Sequence, residues 1–95
     1  MSKETLDGGN VKDIEDNDII MAVAIEFGSS MGKILAAKDK GLAWRGETTE
    51  WLLMRLKQET EELEYAMNHG SKFAVCEECI DVAAYAMFIR DRVGR

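Results

Sequence analysis

Between about Asn17 and Lys38 the apolar residues Ile20, Val23, Ala24, Phe27, Met31, Ile34 and Leu35 return at intervals of three and four. That spacing puts them on one side of a helix. Gly28 and Gly32 cost this helix about 1 kcal/mol each against alanine, which points to close approach of another backbone there. Lys40 and Gly41 end it, and Gly41 suits the left-handed conformation that closes helices. The loop GLAWRGE leads to Thr48 and Thr49, either of which can cap a second helix reaching to about Asn68, with Gly70 as its stop. Leu52, Leu56, Leu63, Ala66 and Met67 form the apolar face of that helix. Ser71 can cap a third helix extending to about Val93. The few residues around Gly70 make helices two and three an antiparallel hairpin.

Helix three is apolar around nearly its whole circumference over CIDVAAYAMFI, Cys79 to Ile89, where Asp81 is the only charge. Such a helix needs cover on more than one side. Helix one can supply part of it and a second subunit the rest. The expected fold is all-α: a three-helix protomer assembling as a four-helix-bundle-type dimer or dimer of dimers. The first 16 residues, MSKETLDGGNVKDIED, are polar and of mixed charge and read as a flexible tail, leaving 17–95 as a single domain. Composition agrees, with 46% apolar residues and no proline. A chain this short buries only about 60 to 65% of its unfolded surface, so self-association would thicken a thin core.

The same helical count places carboxylates where apolar residues belong. With 100° per residue, Leu52, Leu56, Leu63 and Ala66 fall within about 60° of Glu59, and Glu62 borders them. Glu61 and Glu64 point away, as a solvated charge run would. From Glu78 on helix three, Asp81, Val82, Tyr85 and Ile89 fall within about 60°. In a hairpin centred on Gly70, position 59 is level with 81 and 62 with 78, so four acidic groups meet in one groove. Burying such charges without partners costs several kcal/mol, by rough estimate. Protonation, the nearby Arg55 or a divalent cation can each relieve it. Oxygen-only donors in this number suit Mg²⁺ or Mn²⁺ rather than zinc.

A formal charge of −6 with no stripe of Lys and Arg argues against a nucleic-acid backbone or an anionic membrane as partner. The N-terminus lacks the apolar core of a signal peptide, and no apolar run approaches the roughly 18 residues of a membrane span. A cytoplasmic location is expected.

At the acidic positions the chain resembles the MazG-like, all-α nucleoside triphosphate pyrophosphohydrolases, related to dimeric dUTPases. The pattern E-x-x-E, a spacer, then E-x-x-D is present as Glu59-Thr-Glu-Glu62 and Glu78-Cys-Ile-Asp81. LKQETEELEYAM and EECIDVAAYAMFI resemble the two motif helices, and FGSSMGKILAAKDKGLAWRG is similar to the segment preceding them in some members. The resemblance runs from about residue 18 to 93. It departs at Ala84, where some relatives have asparagine. It implies Mg²⁺-dependent (or Mn²⁺-dependent) hydrolysis of a nucleoside or deoxynucleoside triphosphate to monophosphate and pyrophosphate. Glu59, Glu62, Glu78 and Asp81 would hold the ion, and Glu59 or Glu62 could instead take a proton from water. Lys38, Lys40 and Arg45 are the implied contacts to the phosphate tail, with Arg55 nearby. Trp44 could stack on the base or plug the core, and Tyr85 could do either as well. The alternative is a non-catalytic helical nucleotide-binding or assembly module that keeps the acidic quartet.

Cys76 and Cys79 stand at the C-x-x-C spacing, but more than a turn inside a helix with no preceding strand, so a thioredoxin-type site is not expected. Structural zinc wants about four ligands, and the chain offers two cysteines and His69 alone. Both cysteines read as small buried hydrophobes and His69 as a surface residue favourable to a helix C-terminus. A di-iron bundle would want Glu-x-x-His, and Ala66 occupies the position that would need the glutamate.

Overall fold

Two side-chain hydroxyls set the starts of the C-terminal helices. Thr48 accepts from the backbone N–H of Trp51 at 3.0 Å and Ser71 from that of Ala74 at 3.2 Å, each pairing a donor that the first turn leaves free. The computed structural model describes residues 9–38 and 42–95, with side chains from Glu15 onward. Its described residues form three α-helices and a short 3₁₀ turn, with no strand among them. The helices are α1, Gly9–Ala37; α2, Thr49–His69; and α3, Lys72–Gly94, with the 3₁₀ turn at Ala43–Gly46. The all-helical expectation holds.

The chain divides into two units, Met1–Ala37 and Lys38–Arg95. In the first, α1 begins at Gly9, eight residues before the expected start and inside the stretch read as a tail. VKDIEDND contains no proline, and its charged residues tolerate a helix, so the apolar periodicity located only the later turns. Residues 1–8 and 39–41, Lys40 and Gly41 included, lie outside the described residues.

A lone helix cannot cover its own apolar arc, and Ile20, Val23 and Phe27 are exposed. Over Glu15–Ala37, α1 is long and apolar enough to cross a membrane by length and composition. This corrects the expectation that no stretch approaches a span. The apolar residues are broken by glycine, serine and alanine, so no contiguous run is long, yet Glu26 and Lys33 are the only charges between Ile19 and Ala37.

In the second unit α2 and α3 pack on one another. Leu52 is fully buried, with Ala66 from α2 and Ile80, Ala84 and Phe88 from α3. The α3 residues are four apart, so a narrow ridge of the helix is buried, while Phe73 and Met87 remain exposed. From the expected α2 face, Leu56 and Leu63 are half-buried and Met67 is exposed.

The join at Gly70 is tight for a steric reason. Gly70 has φ −99° and ψ 178°, open to any residue, but a Cβ there would stand 2.9 Å from the Ala66 carbonyl oxygen and 3.2 Å from the Ala74 Cβ. Gly70 therefore permits close approach rather than a left-handed turn.

Candidate metal centre

Glu59 lies seven residues after Leu52 and seven before Ala66, two full turns either way, so the packing that buries those two buries it as well. It is 5% exposed and is the one buried charged residue among the described side chains. Glu78 and Asp81, one turn apart on α3, are half-buried opposite it. One carboxylate oxygen from each of Glu59, Glu78 and Asp81 lies within 4.8 Å of the other two. Three of the four acidic residues singled out in the sequence therefore meet. The fourth, Glu62, is exposed and stands outside this group.

The electrostatics of the group are unfavourable in the absence of a cation. Burial holds the Glu59 carboxyl above its ordinary value of 4.5; the charges of Glu62 and Asp81 raise it further, and Arg55 pulls it the other way. Glu78 is raised by burial, then by Glu62, Asp81 and Glu59. Glu62 thus bears on both carboxyls through its charge. Glu78 Oε1 is buried and has no hydrogen-bond partner. A buried acceptor left unpaired costs about 1 to 3 kcal/mol.

The donor set fits a hard divalent cation. Ligand oxygens about 2.1 Å from Mg²⁺ stand roughly 3 Å apart when adjacent and 4 Å when opposite, so three oxygens within 4.8 Å close on an ion by small side-chain rotations. A cation there would also give the orphaned Glu78 oxygen a partner.

No protein-family model, curated protein or solved structure matches this chain.

The cationic and aromatic candidates are distributed around the cluster. Arg55 donates from Nη2 to Glu59 Oε2 at 3.0 Å, and its guanidinium lies 5.8 Å from the Trp51 ring centre and 5.4 Å from that of Tyr85. Its Nε is buried without a partner. Lys38 pairs with Asp81, Nζ to Oδ1, at 3.8 Å. Lys40 lies outside the described residues.

Arg45 and Trp44 are engaged elsewhere. Arg45 Nε donates to Asp91 Oδ2 at 3.1 Å, and Arg95 holds the same carboxylate at 2.8 Å. Trp44 stacks on Phe88 with ring centres 4.6 Å apart and planes 11° from parallel, and Tyr85 meets Phe88 edge-on at 5.5 Å. Arg92 Nε donates to the Glu47 carbonyl at 3.0 Å. These contacts fasten the 3₁₀ turn to the end of α3. Sequence reading missed Asp91 and Phe88 as the anchors, although the i, i+4 spacing of Asp91 and Arg95 was a usable signal.

Both cysteines are free. Cys76 is exposed, which corrects its reading as a buried hydrophobe; steps of four drift by about 40° each around a helix, so Cys76 stands about 120° round from Phe88 and off the buried ridge of Ile80, Ala84 and Phe88. Cys79 is half-buried. His69 is exposed at the end of α2, stacked on Tyr65 at 4.4 Å.

Proposed function

We propose that this chain is a divalent-cation-dependent nucleotide pyrophosphohydrolase, cleaving nucleoside or deoxynucleoside triphosphates to monophosphate and pyrophosphate. The observation that carries the reading is the convergence of Glu59, Glu78 and Asp81 from two helices, with one buried carboxylate oxygen left unpaired. The E-x-x-E and E-x-x-D spacing and its likeness to the MazG-like enzymes supply the reaction class.

In this reading Glu59, Glu78 and Asp81 hold Mg²⁺ or Mn²⁺. The bound ion would neutralise charge on phosphate oxygens and lower the pKa of water. Of the two candidates for the base, Glu62, which is exposed, would take the proton of an attacking water, while Glu59 is held by Arg55. Arg55 orients Glu59 so that one oxygen faces the cluster. Lys38 supplies positive charge at the edge of the site for an anionic substrate.

The protomer is read as an antiparallel hairpin of α2 and α3, supported by the order of their contacts. Arg55 approaches Tyr85, Glu59 approaches Glu78 and Asp81, and Ala66 lies near Ala74 across Gly70. Assembly as a dimer or dimer of dimers would cover the apolar side chains that α2 and α3 leave exposed. The proposed location is cytoplasmic, in keeping with two unpaired cysteines.

The test is incubation with a panel of triphosphates and Mg²⁺, reading pyrophosphate against orthophosphate. Pyrophosphate release that stops on chelation and in Glu59→Gln and Asp81→Asn, with helicity intact, is the expected result. Cation binding with no turnover across the panel would replace this reading with the non-catalytic nucleotide-binding or assembly module.

A further inference from the structure

The cluster has two cations of its own, and they are held differently. Arg55 is hydrogen-bonded at 3.0 Å to a carboxylate whose side chain is 7% exposed, and its guanidinium is framed by two aromatic rings. Lys38 reaches Asp81 at 3.8 Å, is about half exposed, and sits directly after the last residue of α1. A guanidinium hydrogen-bonded at short range to a buried carboxylate and framed by two rings is the harder to displace, although its own side chain is 35% exposed, whereas a longer ammonium pair with both side chains open to water is weak and exchangeable.

Charge balance points the same way. Three carboxylates against Arg55 and Lys38 leave one negative charge, consistent with the unpaired oxygen of Glu78. A dication together with Arg55 balances the three converging carboxylates without Lys38; the remaining acid, Glu62, is exposed and screened by water, so it does not hold the ammonium beside a bound ion. The carboxylate partner of Lys38 is also the ligand that the ion needs.

We propose that Lys38 is the exchangeable counter-cation of the cluster: it pairs with Asp81 in the metal-free protein and is expelled when a divalent cation takes the Asp81 carboxylate. This rests on the metal-site reading above. The released ammonium becomes available to an anion that approaches the ion, so one lysine both restrains empty-site repulsion and is freed for ligand when the site fills. Arg55 stays in place throughout.

The test is a double-mutant cycle on Mn²⁺ affinity, measured by titration calorimetry on the full chain, with Lys38→Met and Asp81→Asn singly and together. Lys38→Met should bind Mn²⁺ about three- to fivefold more tightly, the size expected for removing a half-exposed pair that competes with the ion. Lys38→Arg should stay near wild type. In the Asp81→Asn background, Lys38→Met should change affinity by less than about twofold. Equal tightening with and without Asp81 would mean a general charge effect and would overturn the exchange. As a measurement that does not depend on a weakened site, lysines are reductively ¹³C-dimethylated, which keeps their charge. The Lys38 signal, assigned with Lys38→Arg, should move on adding Mg²⁺ to the position it holds in metal-free Asp81→Asn. A Lys38 signal unmoved at saturating Mg²⁺, while Glu78→Gln still abolishes binding, overturns the exchange and leaves the metal site standing. Absence of any cation binding sensitive to Glu78→Gln overturns both.

Discussion

Arg55 and Glu59, one turn apart on α2, are joined by a 3.0 Å bond from Nη2 to Oε2, and this pair is where the buried acid of the protein is neutralised. Burial, Glu62 and Asp81 all disfavour the Glu59 carboxylate, and Arg55 is what opposes them. The guanidinium also lies 5.8 Å from the Trp51 ring centre and 5.4 Å from that of Tyr85, so it meets two aromatic rings as well as the carboxylate.

Arg55→Met should therefore lower stability by about 1 to 3 kcal/mol, because it leaves a buried acid without its partner. Arg55→Met combined with Glu59→Leu should recover most of that loss, since an apolar pair of similar volume needs no compensation. Urea unfolding with an unchanged denaturant slope is the measurement. A double variant no more stable than Arg55→Met would assign the loss to packing against the two rings.

The pH dependence follows from the raised carboxyls. Glu59 and Glu78 titrate above 4.5 in the folded chain, so from that value up through their raised folded values the folded state holds more protons than the unfolded one. Stability from these two groups is then fully present below about 4.5 and lost as pH rises through their folded values. Metal-free Glu78→Gln cannot lose it at that position. Its advantage over wild type should be absent near pH 4 and should grow toward pH 7 in parallel thermal melts. Saturating Mg²⁺ should reverse the order, because wild type alone gains the ion; at ten times Kd that gain is about 1.4 kcal/mol.

The glycines separate into opposite cases. Gly70→Ala should destabilise by about 1 to 2 kcal/mol, since the new methyl meets backbone at 2.9 Å and neither helix can yield without moving the other. Gly28→Ala and Gly32→Ala meet nothing within 4 Å in α1 and should each stabilise the helix by about 1 kcal/mol. Circular dichroism against temperature distinguishes the two signs. Destabilisation by Gly28→Ala would indicate that another chain approaches α1 there.

Much of this was legible because the helical repeat is strict where packing is strict. Thr48, Gly70 and Ser71 mark helix ends by chemistry that depends on neighbours only a few residues away, and the second and third helices fall within about a residue of their expected limits. The inward placement of Glu59, Glu78 and Asp81 follows from the same repeat. Glu62 shows where angle alone stops being informative. At 60° from the face centre a long side chain can turn inward or to water, and Glu62 is exposed. Lys38 and Asp81 are 43 positions apart and Arg45 and Asp91 are 46, and no local rule joins residues at that distance. Trp44 could be read as a base platform or a plug from sequence; its stack on Phe88 depends on the path of the turn, which periodicity does not describe.

The two candidate roles of Glu62, ligand and base, diverge in measurement. If it were a ligand equivalent to the other three, Glu62→Gln would weaken Mn²⁺ binding as much as Glu78→Gln does. It is exposed and outside the oxygen cluster, and acts on Glu59 and Glu78 through its charge. Removing that charge should weaken Mn²⁺ binding by only about two- to fivefold, as screened surface charges do, while Glu78→Gln removes a ligand and should cost at least about 30-fold. Turnover separates the roles further. With Mn²⁺ saturating, Glu62→Gln should still lose about 100-fold or more in kcat if it takes the proton from water. Near-normal kcat in that variant would return the base role to Glu59, and a loss of Mn²⁺ affinity equal to that of Glu78→Gln would make Glu62 a fourth ligand.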